Sequence, residues 1–181
     1  QALITEGKVR AMGLSNESVW GAARWLHLAD TLGLPRMATV QNEYSLLCRQ
    51  FDTDWAEFSL IEDMPLLAFS PLAVGLLSGK YAGDVTPEGT RRMHTPDLGG
   101  RITASVFPAV AAYLGIAARH GLDPCQMAIA FCRSRPFRTI PIIGATNLDQ
   151  LRTNLGAADL TLSPEVLAEI AETHRAYPAP Y

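Results

Sequence analysis

The residues with chemistry to offer recur in one place, directly after short apolar runs. Ser15 and Asn16 follow Val9–Leu14, and Gln41 and Asn42 end Ala38–Gln41 and its turn. Ser70 follows Leu66–Phe69, and Gly144 to Asn147 follow Thr139–Ile143. Read as parallel strands, these runs put their hydroxyl and amide side chains on one rim, where parallel β/α folds build ligand sites. Turns and helix caps use the same residue types, so no single member identifies a site; their convergence does. Metal chemistry is not expected. His27, His94, His120 and His174 have no cysteine or acidic partner at ligand spacing. Cys48, Cys125 and Cys132 form no CxxC and are odd in number, which fits reduced thiols in the cytoplasm.

The elements that must position this rim follow from periodicity. Each run is short, nearly continuous in apolar character and closed by a turn signal, as strands covered on both faces require. Val19, Ala22, Ala23, Leu26 and Ala29 recur at helical spacing, with Ser15 or Asn16 as cap and Gly33 as stop. Further helices are expected over Asp54–Asp63, Val106–His120, Asp123 to about Ser134, Asn147–Ala157, and after Ser163. The first three strand ends lie about 27 residues apart, a βαβ period. The step to the fourth is longer and holds a loop at 82–103 rich in Gly, Pro, Thr and Arg. Four β/α units fit half of an eight-stranded barrel or a small doubly wound sheet; 181 residues are too few for a whole barrel of roughly 250.

Bulk properties narrow the class. The chain is 48% hydrophobic and 18% charged, hence globular, and its net charge of −3 argues against nucleic acid or an anionic membrane as partner. It has no run of 18 apolar residues and no charged-then-apolar leader. It opens on Gln-Ala-Leu without Met, and Gln1 to Glu6 reads as the last turn of a helix closed by Gly7, so a preceding segment is expected.

Four segments taken together resemble, in order and spacing, the second half of aldo-keto reductases, in the bacterial branch related to potassium-channel β subunits. They are Gly-Lys-Val-Arg-Ala-Met-Gly-Leu-Ser-Asn (7–16), Gln-Asn-Glu-Tyr-Ser-Leu-Leu (41–47), Phe-Ser-Pro-Leu-Ala-Val-Gly-Leu-Leu-Ser-Gly-Lys-Tyr (69–81) and Ile-Gly-Ala-Thr-Asn-Leu-Asp-Gln-Leu-Arg-Thr-Asn (143–154). The resemblance implies a single partial domain over 1–181, strands five to eight of a (β/α)8 barrel, and NADP(H) as cofactor. Ser15, Asn16 and Gln41 match residues that bond the nicotinamide carboxamide, whose acceptor and two donors suit a hydroxyl and two amides. Phe69 matches the aromatic that stacks on the ring, a place more often held by Tyr or Trp. Ser70, Pro71, Leu72, Ala73 and Gly75 match the pyrophosphate loop, where small residues let backbone N–H groups approach phosphate oxygens. Lys80 matches a lysine reaching the phosphates. Arg91 matches an arginine closing over the cofactor, with Arg92 and Arg101 as alternatives. Gly144, Thr146, Gln150 and Asn154 match the element holding the adenosine and its 2′-phosphate at a helix N-terminus. A basic residue often stands at the Gln150 position and an acidic one at that of Thr153, which leaves NADP against NAD open.

In that family a tyrosine acid tuned by lysine and aspartate, with a histidine, passes the proton that accompanies hydride transfer to a carbonyl. All four precede the strand matching Val9–Leu14, so no catalytic residue is carried onto this chain. Three readings follow. The chain is the cofactor half of a reductase acting on small carbonyl compounds, with its amino-terminal half-barrel elsewhere; or a stand-alone nucleotide-binding or regulatory module; or a truncated product without activity.

Overall fold

The computed structural model describes residues 1–181. Four strands, β1 (Leu14–Ser15), β2 (Val40–Glu43), β3 (Leu66–Phe69) and β4 (Thr139–Pro141), form one parallel sheet in sequence order. Seven helices accompany them: α1 (Ala2–Thr5), α2 (Val19–Leu32), α3 (Asp54–Ile61), α4 (Val106–Arg119), α5 (Pro124–Arg133), α6 (Leu148–Gly156) and α7 (Pro164–Ala176).

The register explains the layering. Leu14, Val40 and Leu66 lie side by side, and all are buried under the helices. The next level, Ser15, Gln41, Leu67 and Ile140, points to the opposite face because side chains alternate along a strand. That opposite face is open: Ile140 is 50% exposed and Ile142 39%. Beneath the helices, Tyr44 stacks on Phe131 with centroids 6.1 Å apart and meets Phe137 edge-on at 5.7 Å. Phe51 and Trp55 continue this aromatic core.

Three strand boundaries differ from the sequence expectation. β1 is confined to Leu14–Ser15, because the N–H groups of Lys8 and Val9 bond back to the Leu3 carbonyl and close α1. β2 begins at Val40 and runs on to Glu43. β4 stops at Pro141, which has no N–H to donate to a ladder. The cap of α2 is Ser18, whose Oγ accepts from the Gly21 N–H at 3.0 Å, and not Ser15 or Asn16. Gly33 ends that helix at φ 63°, as its position in the sequence implies.

Asp123 caps α5, its Oδ1 accepting from the Gln126 N–H at 3.0 Å, with Pro124 in the first turn. Asp123→Ala should lower stability by about 1 kcal/mol, read from the urea midpoint, while Asp123→Asn should lose less than half of that. No helix is long and apolar enough to cross a membrane.

Candidate functional site

β3 delivers Phe69 to the rim, and the chain then leaves extended geometry at once. Ser70, Ala73 and Val74 take φ of 53°, 47° and 52°, and Gly75 takes 101°. Left-handed backbone is unfavourable for side-chain-bearing residues, most of all for a β-branched valine, and such strain concentrates at working sites. The Ala73 N–H donates to the Ser70 carbonyl at 2.7 Å and the Gly75 N–H to that of Leu72 at 2.9 Å. The N–H groups of Leu72 and Val74 have no backbone acceptor. A right-handed Leu72 followed by a left-handed Ala73 forms a concavity of the kind that binds anions. Lys80 folds across this turn: a Cβ on Gly75 would lie 2.7 Å from its Cε and 3.0 Å from its Nζ.

The 82–103 loop forms the second wall. Arg92 is buried in it, donating to the Val85 carbonyl at 2.9 Å and the Pro96 carbonyl at 3.3 Å, pairing with Asp84 and lying over the Phe107 ring. Arg101 is bound to Glu43. Of the three arginines that compete for one role in the sequence, Arg91 is the one that reaches the groove, beside Gly89 and Thr90.

The third wall is the turn into α6. Asn147 caps the helix by accepting from the Gln150 N–H at 2.9 Å. Gln150 Oε1 in turn accepts from the N–H and hydroxyl of Thr146, each at 3.0 Å. Asn154, one turn on and buried, donates to the Gly144 carbonyl at 3.2 Å. Gln150 and Asn154 thus share one helix face, as their spacing implies, and brace the Gly144–Thr146 turn that lines the groove.

These walls enclose a groove of about 820 Å³, inside the range typical of small-molecule sites. It brings together Phe69, Ser70, Pro71, Leu72, Gly75, Lys80, Arg91, Gly144, Thr146, Gln150 and Asn154. Ala73 is fully buried and its side chain faces the core. Ser15, Asn16 and Gln41 lie outside the groove lining, on the open side of the sheet. Ser15 pairs with Gln41 in register, and the Asn16 amide reaches the Ser15 hydroxyl at 3.4 Å. Phe69 is the link, since it faces the groove and sits in register with Glu43, two residues beyond Gln41.

The groove also holds Cys125 and Asp149, neither of which the sequence singles out, and Thr153, named there only as a departure from the family pattern. Cys125 enters because the first turn of α5 packs against the turn after β3, a contact with no local sequence signal. Burial, with Asp123 adding to it, pushes its thiol up to about 11. No tyrosine lines the groove. Tyr44, Tyr81 and Tyr113 are buried in the core, and burial drives the Tyr113 phenol up to about 12.

Comparison with known proteins bears on the family and the fold. The profile of the Aldo/keto reductase family matches residues 1–175. Protein tas of Escherichia coli (strain K12) is 48% identical over 176 residues, covering 96% of this chain and 51% of that protein. A putative voltage-gated potassium channel subunit beta of Schizosaccharomyces pombe is 30% identical over 178 residues, covering 94% and 52%. The glycerol dehydrogenase AKR11B4 from Gluconobacter oxydans superposes with a TM-score of 0.75 at 21% identity, over 99% of this chain and 53% of its own. The chain spans about half the length of the curated relatives it matches. With a parallel four-stranded α/β fold and a profile match over nearly its whole length, the chain belongs to the aldo-keto reductase family.

Proposed function

We propose that this chain is the NADP(H)-binding half of an oxidoreductase that reduces aldehydes or ketones by hydride transfer, completed by an amino-terminal half-barrel that supplies the catalytic acid. The observation that carries this reading is the groove, in which a strained, N–H-rich turn, two cations and the turn leading into α6 line one space. The residues fit a dinucleotide. Leu72 and Val74 N–H groups with Lys80 and Arg91 would hold the phosphates, and Gly144, Thr146 and Gln150 the adenosine end. Phe69 would stack on the nicotinamide, with Ser15, Asn16 and Gln41 holding its carboxamide on the open side of the sheet. Bound there, NADPH supplies the hydride.

Two features favour the half-barrel over a module that stands alone. The open sheet face exposes Ile140 and Ile142, and the α2 flank exposes Trp25, Leu28 and Leu32 at helical spacing. Both are apolar borders that a second set of β/α units would cover. The buried tyrosines leave the groove without a proton donor of the kind carbonyl reduction needs, so in this reading the acid comes from the amino-terminal half.

The test is NADPH fluorescence titration of the purified chain, followed by an assay for aldehyde-dependent NADPH oxidation. Saturable binding is expected, with oxidation appearing only when the amino-terminal half is supplied. Lys80→Gln should weaken binding about tenfold and flatten its dependence on salt. Absence of binding to NADPH and NADH by folded protein in both forms would overturn the reading.

A further inference from the structure

Of the five methionines, Met93 alone is exposed, at 51%. Met64 and Met127 are buried in the core, and Met12 and Met37 are half-buried. The Met93 sulfur also helps to build the groove wall. It accepts from the Gly89 N–H at 3.1 Å and is the only acceptor which that N–H has in the chain. Around this contact lies one tight turn. The Thr90 hydroxyl donates to the Pro87 carbonyl at 2.7 Å, and the Met93 N–H donates to the Thr90 carbonyl at 3.1 Å. Arg92, buried and bonded to Asp84, Val85 and Pro96, anchors the turn from behind. Gly89, Thr90 and Arg91 line the groove in front.

A thioether is polarizable and takes up one oxygen atom to become a sulfoxide, polar where the sulfide was apolar. With hydrogen peroxide, the sulfur lone pair attacks one peroxide oxygen and the O–O bond breaks as the S–O bond forms. The second oxygen takes up the proton and leaves as water. Sulfur loses two electrons and peroxide gains them. The competing nucleophiles are weak, because burial pushes the Cys48 and Cys125 thiols up to about 11 and that of Cys132 up to about 12. A sulfoxide oxygen accepts an N–H at roughly 2.9 Å in its own right. The sulfur therefore cannot stay 3.1 Å from the Gly89 nitrogen with that oxygen between them. With Arg92 anchored, the strain falls on Gly89, Thr90 and Arg91.

We propose that Met93 is a modification site, where peroxide oxidises the thioether to the sulfoxide, breaks the Gly89 contact and displaces Thr90 and Arg91 from the groove. The modification and the displacement stand on their own; their effect on affinity rests on the dinucleotide reading.

The test treats the full chain with hydrogen peroxide and follows each methionine by peptide mass spectrometry. Met93 should react about tenfold faster than Met64 and Met127, and ahead of Met12 and Met37. Tryptic cleavage after the exposed Arg91, in ligand-free protein, should then quicken about threefold, as loss of one hydrogen bond implies. NADPH affinity, read by fluorescence, should fall by about the same factor. Methionine sulfoxide reductase with dithiothreitol should reverse both effects, and Met93→Leu should respond to peroxide in neither assay. Equal oxidation rates at Met93 and the core methionines would overturn the site. Cleavage that peroxide leaves unchanged in Met93-oxidised protein would overturn the displacement. Recovery with dithiothreitol alone would assign the response to a cysteine and overturn the proposal as well. If the wild type binds neither NADPH nor NADH, the dinucleotide reading fails, while the oxidation and cleavage rates still decide the modification site.

Discussion

Asp52→Asn should destabilise the chain by about 3 kcal/mol, the low end of what removing one partner of a buried ion pair costs. Asp52 accepts from the Tyr44 hydroxyl at 2.6 Å and from Arg49 Nε at 2.6 Å, and its Oδ1 lies 3.4 Å from Arg135 Nε. Both arginines rest on Phe131, 5.0 and 5.2 Å from its centroid, so neither can swing into water without uncovering the aromatic core. The asparagine keeps the shape but leaves two guanidiniums with no compensating charge. The carboxylate is 15% exposed, which gives water partial access and sets the expectation at the low end. The check is the urea midpoint at constant m-value. A loss under about 1 kcal/mol would mean that solvent already screens the cluster.

This cluster shows where sequence reading stops. Strand periodicity places Tyr44 just past β2 and makes Leu66–Phe69 a strand in agreement with the structure, because burial on both faces writes itself into composition. Nothing local brings Asp52 to Tyr44 and Arg135, since that meeting depends on how α5 packs under the sheet. The same contrast holds at the groove. Asp123-Pro124 and Ser163-Pro164 mark helix starts that the structure reproduces. Cys125, one residue beyond the first of these, escapes notice because its neighbour across the groove is distant in sequence. Among Arg91, Arg92 and Arg101, residue type cannot distinguish a groove-lining cation from one buried among carbonyls or bound to Glu43. β1 is shorter than its apolar run for a related reason: Val9 is apolar enough for a strand, but its N–H is already committed to ending α1.

Gly75→Ala should weaken NADPH binding by roughly 10- to 100-fold and lower stability by about 1–2 kcal/mol. Two causes act together. The backbone at φ 101° suits glycine, and an added methyl would lie 2.7 Å from Lys80 Cε, inside any tolerable contact. Lys80 is the far end of a flexible side chain and would yield, moving its ammonium off the turn where Leu72 and Val74 present free N–H groups. The two causes are separable by combining the substitution with Lys80→Gln. If displacement of Lys80 dominates, Gly75→Ala should have little further effect on affinity once the lysine is gone, and the pair will be strongly non-additive. If distortion of the turn dominates, the two losses should multiply, and the N–H groups rather than the lysine carry the phosphate contact. Unchanged NADPH affinity in a folded Gly75→Ala protein would remove the turn after β3 from the binding site altogether.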